Sequence, residues 1–215
     1  MISAGIIATT SAVIIAMTGA IMLPGAARAQ IIDFESGGLK YKALTHHGVT
    51  IMFAPLATHV RDYAILQVSI ANGSQIPWAI RPEDFKFERA DGETIAASSA
   101  EMVIHTLIEK AGRADAIKLI SAYEAGLYGI PQVHSTNGYE ARRQSALGDA
   151  GSNKIKAAAA ASAIALVTTK LMPGQSTDGA VFYANQGKPL GAGKLIVNTA
   201  GEIFEFPVEE AHGGK

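Results

Sequence analysis

Between Tyr63 and Ile70 the side chains sort onto two sides by strict alternation. Ala64, Leu66, Val68 and Ile70 fall on one side, and Tyr63, Ile65, Gln67 and Ser69 on the other. Successive side chains of a strand face opposite ways, so the segment predicts a strand with one wholly apolar face. Asn72-Gly73 follows, two residues that tolerate a positive φ, and predicts a tight hairpin turn. Ile76, Trp78 and Ile80 then share a face, and Pro77, which lacks an amide hydrogen, suits an edge or a strand start. Pro82, Glu83 and Asp84 predict a corner. Phe85 and Phe87 point inward from the strand beyond it, and Asp91-Gly92 is a second turn signal. Upstream, Val49, Ile51 and Phe53 predict another strand. Tyr41 to Leu44 predicts a shorter one, after a lead-in through Gly37-Gly38.

The period changes after Ala96. Ser98-Ser99-Ala100-Glu101 fits a capping box with Ser98 as the cap. Val103, Ile104, Leu107, Ile108 and Ala111 follow at helical spacing. Ile117, Ile120, Tyr123 and Leu127 make a second helical stripe, and Tyr139 to Leu147 a further candidate helix. Lys154 to Val167 predicts an alanine-rich helix. Its uncharged run, Ala157 to Thr169, is too short to cross a bilayer alone, which points to packing between elements.

Alternation returns near Thr168. Ala180, Phe182 and Ala184 alternate with Val181 and Tyr183. Leu195 and Val197 alternate with Lys194 and Ile196, and Phe204 and Phe206 share a face of the last strand. Neither β block has enough strands to close a core alone, but together they supply seven to nine. The expected fold is mainly β with an α insertion (α+β): an immunoglobulin-like antiparallel β-sandwich interrupted by a helical segment. The expected boundaries are 30–97 for the first half of the sandwich, 98–167 for the helical insertion, 168–208 for the second half and 209–215 for a flexible tail.

Composition narrows the classes. The chain has 215 residues, a formal net charge of −1 and no basic block, which argues against nucleic-acid binding. It has no cysteine, so disulfides, thiolate metal sites and a thiol nucleophile are excluded. Residues 1–29 predict a signal peptide. No charge occurs from Ile2 to Ala27, the apolar centre runs from Gly5 to Leu23, and Ala27 and Ala29 give the small-x-small pattern of a cleavage site. The run is also long enough to serve as an uncleaved N-terminal anchor. Both readings place the remainder outside the cytoplasm, periplasmic or secreted, with membrane contact only if the segment stays uncleaved.

The β parts resemble secreted bacterial immunoglobulin-like domains of unknown function. The pattern is V-x-I-x-N-G-S at Val68 to Ser74, I-x-P with an acidic residue and D-F at Ile80 to Phe85, and D-G at Asp91-Gly92. It continues with L-x-P-G at Leu171 to Gly174 and G-x-V-F-Y at Gly179 to Tyr183. The resemblance implies an extracytoplasmic binding or accessory module and carries no catalytic residues.

Candidate chemistry is sparse. Asn72-Gly73-Ser74 is a formal glycosylation sequon, but the same residues are explained as a turn. His46 and His47 are adjacent, so on a strand they face opposite ways and do not converge on a metal. Glu101, His105 and Glu109 share a helix face and read as a solvated surface. Gly187 to Lys194 lacks the spacing and the Ser or Thr of a phosphate loop and reads as a glycine-rich hairpin loop. No catalytic residue, cofactor site or metal site is assigned. The densest polar cluster, with Tyr139, Arg142 and Arg143, joins Tyr123 as the candidate partner-binding set.

The expected function is a non-catalytic extracytoplasmic binding or accessory module. Its helical insertion contacts a protein partner or a second copy of the chain. Two alternatives stand beside it. One is an enzyme with a site in the groove between sandwich and helices, involving His105, Arg142 or Tyr139. The other is a membrane-anchored envelope structural protein.

Overall fold

The computed structural model describes residues 30–56, 59–119, 121, 136 and 152–209. The fold is mostly β with helices, an α+β arrangement of antiparallel sheets. Strands β1 (Ile32–Ser36), β2 (Leu39–His46), β3 (Val49–Pro55), β4 (Tyr63–Asn72) and β9 (Ser176–Ala184) form one sheet in the order β1-β2-β3-β4-β9. A second sheet has β6 (Phe85–Arg89), β7 (Thr94–Ala96), β10 (Gly193–Thr199) and β11 (Glu202–Val208), ordered β11-β10-β6-β7. A short pair, β5 (Trp78–Ile80) with β8 (Thr169–Leu171), joins the two halves of the chain. The helices are α1 (Ala100–Lys110) and α2 (Asn153–Ile164), with a helical turn over 113–119.

The two larger sheets face each other across one core. Ile51, Phe53, Leu66, Val68, Ile70, Val181 and Tyr183 of the first sheet meet Phe85, Phe87, Leu195, Val197, Phe204 and Phe206 of the second. Phe53 and Phe206 cross edge to face at 5.1 Å, which locks the sheets in register at that point. The alternation read in β4 is therefore real, and Leu66, Val68 and Ile70 are its core face.

Its other face is buried too. Tyr63, Ile65, Ala180 and Phe182 form a second core with Val103 and Leu107 of α1 and Ala157, Ala160, Ala161 and Ile164 of α2. The helices are thus a third layer laid on the outside of the five-stranded sheet. The alanines of α2 explain how: small side chains let the helix sit close to both α1 and the sheet. Tyr63 Oη and Thr106 Oγ1, 3.1 Å apart, join sheet to helix within this layer.

Both junctions of the helical segment are sewn to the outer edge of β9. On entry, Ser98 N donates to the Phe182 carbonyl at 2.7 Å; on exit, Leu166 N donates to the Ala180 carbonyl at 2.9 Å. An uncovered edge strand is a template for aggregation, and these segments cover this one.

Four local expectations need correction. Asn72-Gly73 is not a hairpin turn: β4 pairs with β3 and β9, and β5 pairs with β8. The buried Asn72 side chain instead holds the crossing. Its Nδ2 donates to the Ile76 carbonyl at 2.8 Å and the Leu171 carbonyl at 3.0 Å. Its Oδ1 accepts from Ser74 N at 3.0 Å and Ser74 Oγ at 2.6 Å. Gly37-Gly38 is not a loose lead-in, because φ of 58° and 75° makes it the primed turn between β1 and β2. Helix α1 is capped by Ser99, whose Oγ accepts from Met102 N at 3.3 Å, one residue later than expected. The glycine-rich loop before β10 is not a hairpin loop, because it carries the chain from one sheet to the other.

Candidate functional site

Among the described residues, two places bring polar chemistry together. The first lies where a turn of each sheet meets the other. His46 ends β2, and His47-Gly48, with φ of 48° and 80°, turns the chain into β3. Opposite it, Ala200-Gly201, with φ of 51° and 83°, turns β10 into β11, whose first residue is Glu202. These primed turns match the right-handed twist of their strands. They also deliver three side chains to one point. His47 Nδ1 lies 2.8 Å from Glu202 Oε1, and His46 Nδ1 lies 3.1 Å from Glu202 Oε2. The imidazole centroids are 4.1 Å apart, and the His46 ring stands edge-on to Phe204 at 5.8 Å.

The expectation that the two histidines point apart is therefore corrected. Strict alternation holds only while the backbone stays extended, and the left-handed φ of His47 swings its ring back beside His46. Glu202 is 156 residues away in sequence from His46 (202 − 46), so no local spacing could announce it. His46 Nδ1 is buried and, despite its 3.1 Å approach to Glu202, is out of line for a hydrogen bond.

The second place is on the outer face of the five-stranded sheet. Cross-strand register places Ala43, Met52, Ser69 and Asp178 in one row, with Tyr41 and Gln67 two positions along on β2 and β4. All six are buried. The Tyr41 phenol is held above its ordinary range, first by burial and then by the negative charge of Asp178. Gln67 Oε1 and Ser69 Oγ are buried without a hydrogen bond. The row is a set of neutral and anionic hydrogen-bonding groups buried on adjacent strands.

The residues read from sequence fare differently. Tyr123, Tyr139, Arg142 and Arg143 lie outside the described residues. His105 is exposed on α1 and pairs loosely with Glu109 at 3.7 Å, a solvated helix face. Lys194 of the glycine-rich stretch pairs with Glu205 at 3.2 Å on the neighbouring strand. Asp84 is buried at the corner, where it accepts from Arg81 N at 2.9 Å and from Arg81 Nη2 at 3.0 Å. Among the described residues, no helix is long and apolar enough to cross a membrane.

No family model matches the chain. No curated protein matches it either. Among solved structures, the crystal structure of the YjhA protein from Bacillus subtilis is similar at a TM-score of 0.31 and 10% identity. The match covers 78% of this chain and 77% of that one.

Proposed function

We propose that this protein is a non-catalytic extracytoplasmic binding or accessory module. In this reading it is an immunoglobulin-like sandwich whose helical layer makes the partner contacts. The observation that carries it is the outward side of that layer. Met102, Ile108, Ile117 and Ile155 are each about half exposed or more, while the inward side chains of the same elements are buried in the second core. Lys154 Nζ donates to the Glu109 carbonyl at 2.7 Å, which sets the first turn of α2 beside the last turn of α1. Ile108 and Ile155 therefore emerge at the same end of the helix pair. Apolar side chains gathered outside a layer that is already packed inside are what a protein interface uses.

The test is association. The purified chain with Ile108→Ser and Ile155→Ser is compared with the unaltered chain for co-purification of a partner and for mass in solution. Loss of a partner or of self-association in the variant supports the reading. Retention of all associations refutes it. N-terminal sequencing of the exported protein tests the compartment: a start at Gln30 supports export with cleavage.

A second reading has one observation in its favour. Tyr41, Gln67, Ser69 and Asp178 are buried polar side chains on one face of the five-stranded sheet, the face whose other end carries the helices. An activity or small-ligand affinity lost in Asp178→Asn with the fold retained would favour that reading.

A further inference from the structure

We infer that His46, His47 and Glu202 form a binding site for a divalent transition-metal ion of the zinc class, clamping the end of one sheet to the other. The donor atoms of the three side chains all lie within 4.8 Å of one another. Zinc takes imidazole nitrogen and carboxylate oxygen at about 2.0–2.2 Å, so tetrahedral ligands stand about 3.3–3.5 Å apart. The two nitrogen-to-oxygen separations, 2.8 and 3.1 Å, run to the two different oxygens of Glu202, so the carboxylate presents one oxygen to each imidazole and small side-chain rotations bring the three donors to ligand spacing.

The donor set favours this class of ion. Two imidazoles and one carboxylate suit zinc, copper and nickel, whereas magnesium and calcium prefer all-oxygen shells. His46 Nδ1 adds a second observation: it is buried and makes no hydrogen bond, although it lies 3.1 Å from Glu202 Oε2. Three protein ligands leave a fourth position for water or for a ligand from a partner. The side chains are 37%, 63% and 30% exposed, so an ion can enter from solvent. The proposal is independent of the helical-layer reading, because the site lies on the two turns and uses none of the helices.

The rival arrangement needs no metal: one carboxylate shared by two imidazoles as an ion pair. Titration of the untagged, chelator-stripped chain with zinc chloride, followed by calorimetry, separates them. The expected result is one saturable equivalent per chain. Glu202→Gln and His47→Asn are each expected to weaken it at least ten-fold. Asparagine tolerates the left-handed backbone at 47 and glutamine keeps the shape at 202, so both variants retain the fold. His105→Asn is expected to bind like the unaltered chain. Absence of a saturable equivalent overturns the proposal. So does binding unchanged in Glu202→Gln and His47→Asn, since the ion then sits elsewhere.

Discussion

Gly179 and Leu166 touch at a point where no side chain fits. A β-carbon built on Gly179 would stand 2.6 Å from the Leu166 α-carbon and 2.7 Å from its nitrogen. The contact fixes the exit of the helical layer against β9, where Leu166 N donates to the Ala180 carbonyl at 2.9 Å. Both clashing atoms are backbone and cannot swing aside. Gly179→Ala must therefore separate the two segments, break that bond and loosen the second core. The expected cost is at least about 2 kcal/mol by urea unfolding. A loss under 0.5 kcal/mol, on the ordinary scale of a surface change, would show that the seam is not tight.

Asn72 gives a second prediction. Its side chain is fully committed, with Nδ2 bonded to two carbonyls and Oδ1 to two donors of Ser74. Asn72→Asp replaces the Nδ2 donor with an oxygen facing the Ile76 and Leu171 carbonyls. Three acceptors then confront one another, buried on the Leu171 side and part-buried on the Ile76 side. A loss of about 3 kcal/mol or more is expected in chemical denaturation, larger than that for Asn72→Ala. Equal losses would show that the donor role is secondary.

The tyrosines predict alkaline behaviour. Tyr183 is buried in the core between the sheets, its hydroxyl has no hydrogen-bond partner, and burial pushes its phenol far above the ordinary value of 10.0. A pKa raised on folding adds stability that is complete below the unfolded value and is lost as pH rises above it. Stability should thus hold to about pH 10 and fall beyond it, with Tyr41 contributing in the same direction. Tyr183→Phe removes an unsatisfied hydroxyl while keeping the ring. It should be neutral or stabilising at pH 7, within about 1 kcal/mol, and should blunt the alkaline loss. Thermal unfolding from pH 7 to 11 checks both, and an unchanged alkaline slope would contradict the assignment.

The architecture was legible in the sequence where it rests on alternation, and hidden where it rests on distant pairing. The period-2 pattern of β4 announced its core face, but Tyr63 and Ile65 gave no sign that helices would bury the second face. Asn72-Gly73 has the composition of a hairpin turn, yet β9 takes the place beside β4 that a hairpin partner would occupy. The cluster of His46, His47 and Glu202 was invisible for a physical reason. One member owes its direction to a left-handed residue in a turn, and another arrives from a different sheet. The buried polar row on β2, β4 and β9 was hidden likewise, since register across strands is not written in any one of them.

The helical layer yields a fourth prediction. Because α1 and α2 cover Tyr63, Ile65 and Phe182, the segment is part of the fold as well as an addition to it. Leu107→Ala, at a fully buried position, should cost about 2–5 kcal/mol. Removal of residues 98–167 should leave a chain that aggregates or unfolds, read by circular dichroism and light scattering. A soluble chain with a cooperative transition would show that the sandwich stands without its third layer.

In the proposed function that layer has an inward face that holds the fold and an outward face that binds a partner. The most direct measurement is association by the Ile108→Ser, Ile155→Ser double variant at matched stability. The unaltered chain and the variant are compared by cross-linking and by light-scattering mass, after their unfolding free energies are shown to agree within about 0.5 kcal/mol. The expected result is that the unaltered chain forms a complex and that the variant keeps its fold and loses it. A complex of unchanged mass and yield in the variant would contradict it.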